Sequence, residues 1–324
     1  MRSNGPQEVS PAHLPLVSVV IPTRDRSMRV RRALRSALRQ RDIRLEVIVV
    51  DDGSSDGTGS MVAAIGDPRI RLVRHEVALG ECAARNRGIA EASGTWIAFL
   101  DDDDLWAPDK LAQQLDALRA TGRTWSYGGH VTVDDHLAVL SGSPPPPPEE
   151  VAASLTRYNA VPGSASNVVV ASKLLTRVGP FDTELRRTPD WDMWLRLVRE
   201  GLPAVVDRPL VAIAVHPGNA SRDMDAMFRE LDVIAARYDI RIDRARHHRW
   251  AAWASLIEGR RADAFRHYAR AVTTGDPKSA IRALAVPIPS HWWFSRQRAP
   301  VATAQDPWIE EARAWLSLLM SEEG

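Results

Sequence analysis

The chain has 324 residues, of which 44% are hydrophobic and 26% are charged, a composition typical of a globular protein. Its 42 Lys and Arg residues balance 41 Asp and Glu residues. This balance gives no overall field that would attract nucleic acid, and we expect no nucleic-acid partner. The single cysteine, Cys82, excludes an intrachain disulfide and zinc sites that need several cysteines.

The N-terminal residues 1–14 are polar and contain proline, and we expect them to form a flexible tail without a signal peptide. No apolar run in the sequence approaches the 18 residues typical of a membrane-spanning helix. The lone cysteine fits a reducing compartment. We therefore expect a cytoplasmic protein.

Alternating strands and helices are predicted in the first half of the chain. The β-branched run LVSVVIPT at 16–23 is typical of a strand buried on both faces, and a helix with apolar residues at helical spacing follows Ser27. The further predicted elements are a strand and turn cluster at 45–58, a strand at 69–75, a helix at about 81–92, a strand at 95–100 and a helix from Pro108 to Gly122.

This alternation predicts an α/β fold with a doubly wound, mostly parallel sheet, which binds its ligand beyond the carboxyl ends of the strands. Two predicted strands end in carboxylates, Asp51–Asp52 and Asp101–Asp104. Adjacent like charges at about 4 Å repel by roughly 4 kcal/mol at an effective dielectric of 20. The acidic run is therefore either a solvated turn or a site for a divalent cation.

The second half of the chain begins with the proline-rich stretch SGSPPPPPEE at 141–150, which we interpret as a surface loop, with a linker as the alternative. Strand-like sequence resumes at 166–172 and 203–216. From about Asp225 the pattern is helical, including two helices separated at Gly259. We expect a domain over 15–224 and a C-terminal helical appendage over 225–324.

Five stretches carry a resemblance to a known family, and they run from Val17 to Ser221: VSVVIPTRDR, VIVVDDGSSDGT, ARNRGIAEASGTWIAFLDDDDLWAPDKL, VGPFDTELRRTPDWDMWLRLVREG and HPGNAS. In this order they resemble the family-2 glycosyltransferases, which have the GT-A fold. The resemblance implies inverting transfer of a sugar from a nucleotide-sugar, usually with Mn²⁺ or Mg²⁺. It implies as acceptor a hydroxyl of a saccharide, of a lipid-linked oligosaccharide or of another glycoconjugate, as in bacterial cell-envelope polysaccharide synthesis.

By this resemblance, the acidic run handles the metal and the ribose. Asp103 is expected to bind the metal, while Asp101 and Asp102 hold the ribose hydroxyls or the metal through water. The family's D-x-D pattern fits the run in two registers, and Asp104 has capping of the Pro108 helix or of its preceding turn as its alternative. His216 follows an apolar strand, and we expect it either to approach the metal or to be structural.

The nucleotide is expected at the ends of the first two strands. Asp52 would accept the imide N–H of uracil or thymine, which favours UDP- or dTDP-sugars, unless it only closes its own turn. Pro22, Thr23 and Arg24 are expected to contact the nucleotide, although many relatives have tyrosine where Arg24 stands. Arg85 and Asn86 would contact the diphosphate, with an ordinary salt bridge as the alternative for Arg85.

The catalytic base is predicted in RRTPDWDMWLRL. The resemblance places it at Asp190, which would take the proton of the acceptor hydroxyl, with Asp192 as the fallback. Relatives carry glutamate where this chain has Pro189. A role as helix N-cap is the alternative for Asp190.

Two surface features bear on partners: the arginine-rich first helix, and the segment PIPSHWWFSRQR near the C-terminus. Aromatic residues beside basic ones suit peripheral contact with the inner face of a membrane, whereas packing is the alternative. Two other functions are alternatives: a non-catalytic nucleotide-sugar-binding scaffold, and a sugar-phosphate nucleotidyltransferase. The second is disfavoured because IPTRDR stands where those enzymes have a G-x-G-T-R loop. The sequence does not specify the oligomeric state.

Overall fold

A computed structural model describes residues 14–215, 224–257, 259–286 and 307–320. Within these residues nine strands form a single sheet. The strands are β1 Leu16–Thr23, β2 Arg44–Asp51, β3 Ile70–Arg74, β4 Trp96–Phe99, β5 Leu105–Trp106, β6 Trp125–Val133, β7 Val139–Ser143, β8 Val169–Ala171 and β9 Ala204–Ala214. Their order is β3-β2-β1-β4-β8-β6-β9-β5, with β7 paired to β6.

Helices cover both faces of this sheet. In the first part of the chain they are α1 Ser27–Leu38, α2 Thr58–Ala64, α3 Glu81–Glu91, α4 Lys110–Thr121, α5 Pro148–Leu155, α6 Ser172–Val178 and α7 Pro189–Glu200. The C-terminal helices are α8 Met224–Tyr238, α9 Arg244–Ile257, α10 Arg261–Thr273, α11 Ser279–Ala285 and α12 Pro307–Met320. The predicted α/β architecture is confirmed.

The parallel half of the sheet agrees with the sequence prediction. Strands β3, β2, β1 and β4 are parallel neighbours, and the central residue Val19 pairs with Val47 on one side and Ala98 on the other. All three are fully buried, as expected for a strand covered on both faces. Because the strands are parallel, Thr23, Asp51 and the residues after Phe99 meet at one edge of the sheet.

The other half of the sheet departs from the prediction. Strand β6 pairs antiparallel with β8 and parallel with β9, although its sequence WSYGGHVTV did not predict a strand. Its glycines are required by close packing, since a Cβ on Gly129 would lie 2.5 Å from the Trp308 ring. The proline-rich stretch is not one loop, because β7 takes its first three residues and α5 begins at Pro148. Likewise α4 begins at Lys110, and its N-cap is Asp109 instead of Asp104.

Two of the C-terminal helices, α8 and α12, share the cores of the sheet. Ile309 of α12 is buried in the same cluster as β9, and Leu231 and Ile234 of α8 are buried with Trp191 on the opposite side. The domain boundary at 224/225 stays a prediction. No helix among the described ranges is long and apolar enough to cross a bilayer, and the aromatic segment PIPSHWWFSRQR lies outside them.

Candidate active site

A cavity of about 630 Å³ opens at the carboxyl ends of β1, β2 and β4. The predicted nucleotide and metal residues that line it are Pro22, Thr23, Arg24, Asp52, Asp101, Asp102 and Asp103. The other lining residues are Arg26, Gly80, Glu81, Ala84, Asp104, Ser164, Arg187 and Ile213. A cavity of about 680 Å³ between α8, α9 and the end of α10 contains none of the predicted site residues.

Arg26 and Thr23 offset the middle of the acidic run. The Arg26 guanidinium lies 2.8 Å from Asp102 Oδ1 and 3.1 Å from Asp103 Oδ2, and the Thr23 hydroxyl donates to Asp102 Oδ2 at 2.7 Å. Burial raises the pKa of Asp102 to about 6, because the opposing effect of Arg26 is smaller and Asp103 adds repulsion. The chain itself thus neutralises part of the charge that we expected a cation to balance.

Asp104 is a structural member of the run. Its Oδ2 accepts a hydrogen bond from the Ser166 hydroxyl at 2.6 Å, and its Oδ1 accepts one from the Ala214 backbone N–H at 3.2 Å. Burial, together with the neighbouring Asp103 and Asp101, raises the pKa of Asp104 well above its usual value. Asp104 therefore links the end of β4 to β9, and the alternative that it caps the helix after Pro108 is wrong because the N-cap of α4 is Asp109.

Arg85 on α3 joins the acidic run to the predicted base. Its guanidinium contacts Asp101 Oδ1 at 2.6 Å and Asp190 Oδ1 at 3.0 Å, and it also pairs with Glu81. Its side chain is 2% exposed, and its ring contact is with Phe181 at 5.4 Å. These contacts match the salt-bridge alternative for Arg85, while its contact with a diphosphate stays a prediction.

Asp190 lies in the first turn of α7, two residues after the N-cap Thr188. Its side chain is 18% exposed. Burial raises its pKa, Arg85 lowers it and Asp101 raises it, and the net effect is a raised pKa. Asp190 therefore has a carboxylate that solvent can reach and an affinity for protons above that of an ordinary aspartate, as a general base requires.

Asp192, the alternative to Asp190 as base, makes structural contacts. It is buried, and its carboxylate contacts Arg196, Arg237 and the Tyr238 hydroxyl, each at 2.7 Å. A carboxylate held this way has no open side toward a substrate. The structure therefore favours Asp190 over Asp192.

The carboxylate of Asp52 closes the loop before α3. Its Oδ1 lies 2.7 Å from His75 Nδ1 and accepts the Leu79 N–H at 2.9 Å, while its Oδ2 accepts the Gly80 N–H at 2.8 Å. Burial raises its pKa, but these hydrogen bonds more than offset that effect and lower it. Asp52 lines the cavity and also stabilises a turn. Its contact with the nucleobase of a donor stays a prediction.

Several cavity residues were missed by sequence reasoning. Arg26 stands three residues after Thr23, and nothing in the sequence pairs it with an acidic run 76 residues away. Ser164 adopts a positive φ of 56° at the cavity wall and donates to Asp101, a backbone conformation that is uncommon outside glycine and often found at functional sites. Asn86, by contrast, holds the backbone of Phe181 with both amide atoms. His216 lies outside the described residues.

Among the described residues, the side chains that line the cavity offer only oxygen ligands to a cation. In the described part of the chain, no three His, Cys, Asp or Glu side chains are arranged to hold a metal ion by themselves. A hard divalent ion such as Mg²⁺ needs only one or two carboxylates when phosphate oxygens and waters complete its shell. Asp103 and Asp101 at the cavity wall fit that donor chemistry.

The sequence matches the family model described as Glycosyl transferase family 2 over residues 18–168. It is 30% identical over 188 residues to the UDP-Glc:alpha-D-GlcNAc-diphosphoundecaprenol beta-1,3-glucosyltransferase WfgD of Escherichia coli, covering 57% of this chain and 70% of that protein. It is 43% identical over 109 residues to the succinoglycan biosynthesis protein ExoO of Rhizobium meliloti. That match covers 34% of this chain and 31% of ExoO, so the chain spans about a third of that relative's length.

A solved structure covers nearly the whole chain. The mannosyltransferase PcManGT from Pyrobaculum calidifontis, in complex with GDP-Man and Mn²⁺, superposes with a TM-score of 0.53 at 20% identity. The alignment covers 98% of this chain and 90% of that one. At this identity the likeness establishes the fold, which is of the GT-A type expected from the sequence.

Proposed function

The chain belongs to glycosyl transferase family 2, and on that premise we propose that it transfers a sugar from a nucleotide-diphosphate donor to an acceptor hydroxyl with inversion. The observation that carries the proposal is the ion-pair chain Asp101–Arg85–Asp190, which joins the acidic edge to the aspartate that we propose as base. Donor and acceptor would therefore meet where the cavity adjoins the start of α7.

In this mechanism Asp190 removes the proton from the attacking hydroxyl. A general base works best when its pKa lies near the working pH, and burial moves the pKa of Asp190 in that direction. Arg85 keeps the carboxylate ionised by opposing the effect of burial. Its contact with Oδ1 also fixes the orientation of the Asp190 side chain.

A divalent ion, Mn²⁺ or Mg²⁺, fits the proposal, with Asp103 as its ligand and Asp101 or Asp102 holding it through water or holding the ribose. When bound, the ion would stabilise the negative charge that develops on the departing diphosphate. The burial and the bonding of Asp104 favour the Asp101–Asp103 register of the acidic pattern. The Mn²⁺ named with PcManGT supports this assignment. His216 stays a candidate second ligand.

The donor is proposed to be a UDP- or dTDP-sugar. Asp52, Pro22, Thr23 and Arg24 line the nucleotide end of the cavity. Arg187 adds a positive charge at the wall near α7, where a diphosphate or a charged acceptor would benefit from it. The UDP-Glc named for WfgD supports UDP. The GDP-Man named for PcManGT carries a different nucleobase, so the identity of the donor's nucleobase has to be tested.

The acceptor is proposed to be a saccharide of a cell-envelope polysaccharide, carried on a lipid diphosphate. The acceptor named for WfgD, a diphosphoundecaprenol-linked sugar, supports this class, and so does the succinoglycan synthesis named for ExoO. Such an acceptor would require peripheral contact with the membrane from the cytoplasmic side. Co-sedimentation with anionic liposomes at low salt tests that contact, and an absence of binding would remove it.

The test of the function is release of nucleoside diphosphate. Wild-type protein is incubated with UDP-glucose, UDP-galactose, UDP-N-acetylglucosamine, dTDP-glucose and GDP-mannose, with Mn²⁺ or with EDTA. We expect one uridine or thymidine donor to turn over, and the Asp190→Asn variant to lose turnover while still binding UDP. The matched control is Asp116→Asn on α4, an exposed aspartate that pairs with Arg119 on the same helix, which should keep full activity.

A non-catalytic nucleotide-sugar-binding scaffold is the second candidate. Two points favour it: Pro189 stands where the family resemblance implies a glutamate, and Arg26 already pairs with Asp102 and Asp103. In that case donors would bind, but no donor would turn over, and Asp190→Asn would change nothing.

A further inference from the structure

One carboxylate from the C-terminal helices holds the segment in front of α7. Glu230 of α8 accepts the backbone N–H groups of three successive residues, Arg186, Arg187 and Thr188, at 2.9, 2.8 and 2.9 Å. It also accepts the Thr188 hydroxyl at 3.1 Å. A single side chain thus provides four hydrogen bonds to the residues that lead into the helix of Asp190.

These bonds fix the backbone just in front of α7, although they do not cap the N–H groups of the helix itself. Thr188 is the N-cap of α7, yet its own side chain makes no capping bond within that helix, and Pro189 at the first position has no N–H to donate. A negative charge at the N-terminus of a helix also interacts favourably with the helix dipole. Glu230 therefore stabilises the start of α7 from a distance of 42 residues in sequence.

Helix α8 is itself held in place by buried side chains and by ion pairs. Leu231, the residue after Glu230, and Ile234 are fully buried in the core that contains Trp191. One further turn along α8, Arg237 pairs with Asp182 and Asp192, each at 2.7 Å. Residues 182–192, which contain Asp190 and the cavity residue Arg187, are thus held by α8 at several points.

We propose that Glu230 is a positioning residue for the catalytic segment: it fixes the entry into α7, and through that the carboxylate of Asp190 beside Arg85. The proposal rests on the proposed function, since it assumes that Asp190 is the base. It gives the C-terminal helices a role in the reaction, because without α8 the segment would lose its hydrogen-bond acceptor. Glu230 itself does not line the cavity.

The test compares Glu230→Ala and Glu230→Gln with wild type. The matched control is Glu200→Gln at the opposite end of α7, where Glu200 makes a surface ion pair with Arg177. We expect kcat for UDP release to fall by ~10- to 100-fold in Glu230→Ala, because a displacement of about 1 Å can cost a reaction 100-fold. Glu230→Gln keeps one acceptor oxygen and similar volume, and it should fall less. The affinity for UDP, measured by calorimetry, and the kcat of Glu200→Gln should stay at the wild-type value.

A double-variant cycle separates positioning from general damage. If Glu230 acts through Asp190, adding Glu230→Ala to Asp190→Asn should not lower the residual rate further, because residues that act as a unit are not additive. Multiplicative losses, or a loss of UDP affinity that parallels the loss of kcat, would overturn the proposal. Should Glu230→Ala fail to fold, the same cycle with Glu230→Gln decides.

The two proposals can fail separately. Full turnover by Asp190→Asn would refute the assignment of the base, whatever the Glu230 variants do. Loss of turnover in Asp190→Asn, combined with wild-type kcat in both Glu230 variants, would refute only the positioning role.

Discussion

The substitution Arg85→Met removes the buried guanidinium at the centre of the ion-pair chain. Methionine keeps most of the side-chain volume but leaves Asp101, Asp190 and Glu81 without their shared cation. Removing one partner of a buried ion pair costs about 3–5 kcal/mol. Because the side chains of Asp101 and Asp190 retain 21% and 18% exposure, water can screen part of the repulsion, and we expect a loss of about 3 kcal/mol in the free energy of unfolding.

The same substitution should alter the pH dependence of the reaction. Burial raises the pKa of Asp190 and Arg85 lowers it, so removal of Arg85 raises this pKa further. The base must be ionised to accept a proton, and therefore the acidic limb of the kcat profile should move to higher pH. A profile of UDP release between pH 5 and 9 measures this shift.

The control is Arg87→Met on the same helix, whose side chain is 50% exposed and pairs with Glu91. Urea unfolding should place this variant within about 0.5 kcal/mol of wild type. If Arg85→Met unfolds at the same urea concentration as Arg87→Met and its acidic limb does not move, then Arg85 does not hold the two carboxylates, and the ion-pair chain has no functional role.

Three further outcomes are expected from single features. Gly94→Ala should lower the unfolding free energy by ~1–3 kcal/mol in urea titrations, because its Cβ would lie 2.7 Å from the backbone nitrogen of Ser18, which cannot move aside; an unchanged midpoint would contradict this packing. Burial lowers the pKa of His130 to about 4 from 6.5, so the folded state binds fewer protons than the unfolded state between these values, and stability falls on acidification through this window. His130→Gln should flatten that dependence by up to about 1.4 kcal/mol per pH unit, and parallel curves for the two proteins would refute the shift. Burial raises the pKa of Cys82 to about 12, so a thiol reagent at pH 8 should label it only after unfolding, and rapid labelling of the native protein would contradict the buried placement.

The parallel half of the sheet could be predicted because its strands are continuous apolar, β-branched runs bounded by turn residues. Strand β6 could not, because two glycines and polar residues interrupt its pattern. Gly128 is explained by Leu210 of β9, and Gly129 by Trp308 of a helix more than 170 residues away in the chain. The periodicity of a sequence indicates which face of an element is buried, but it does not show which distant element packs against that face.

The candidate site shows the same division. The acidic run and Asp52 could be singled out because each stands at the end of a strand, whereas Asp190 could be singled out only through the family resemblance of the motif that contains it. Their partners could not, since the ion pair between Arg85 and Asp190 spans 105 residues. Glu230 sits in an ordinary amphipathic helix, and only its position in the fold reveals the four hydrogen bonds that it accepts.

The most direct test of a metal-bound donor at the acidic edge is calorimetry of UDP binding to wild-type protein with Mn²⁺, with Mg²⁺ and with EDTA. We expect the divalent ion to tighten UDP binding by at least roughly tenfold, or about 1.4 kcal/mol. We also expect Asp103→Asn to remove this difference. Equal affinity for UDP in Mn²⁺, Mg²⁺ and EDTA would contradict the claim that the acidic edge of the sheet holds a metal-bound donor diphosphate.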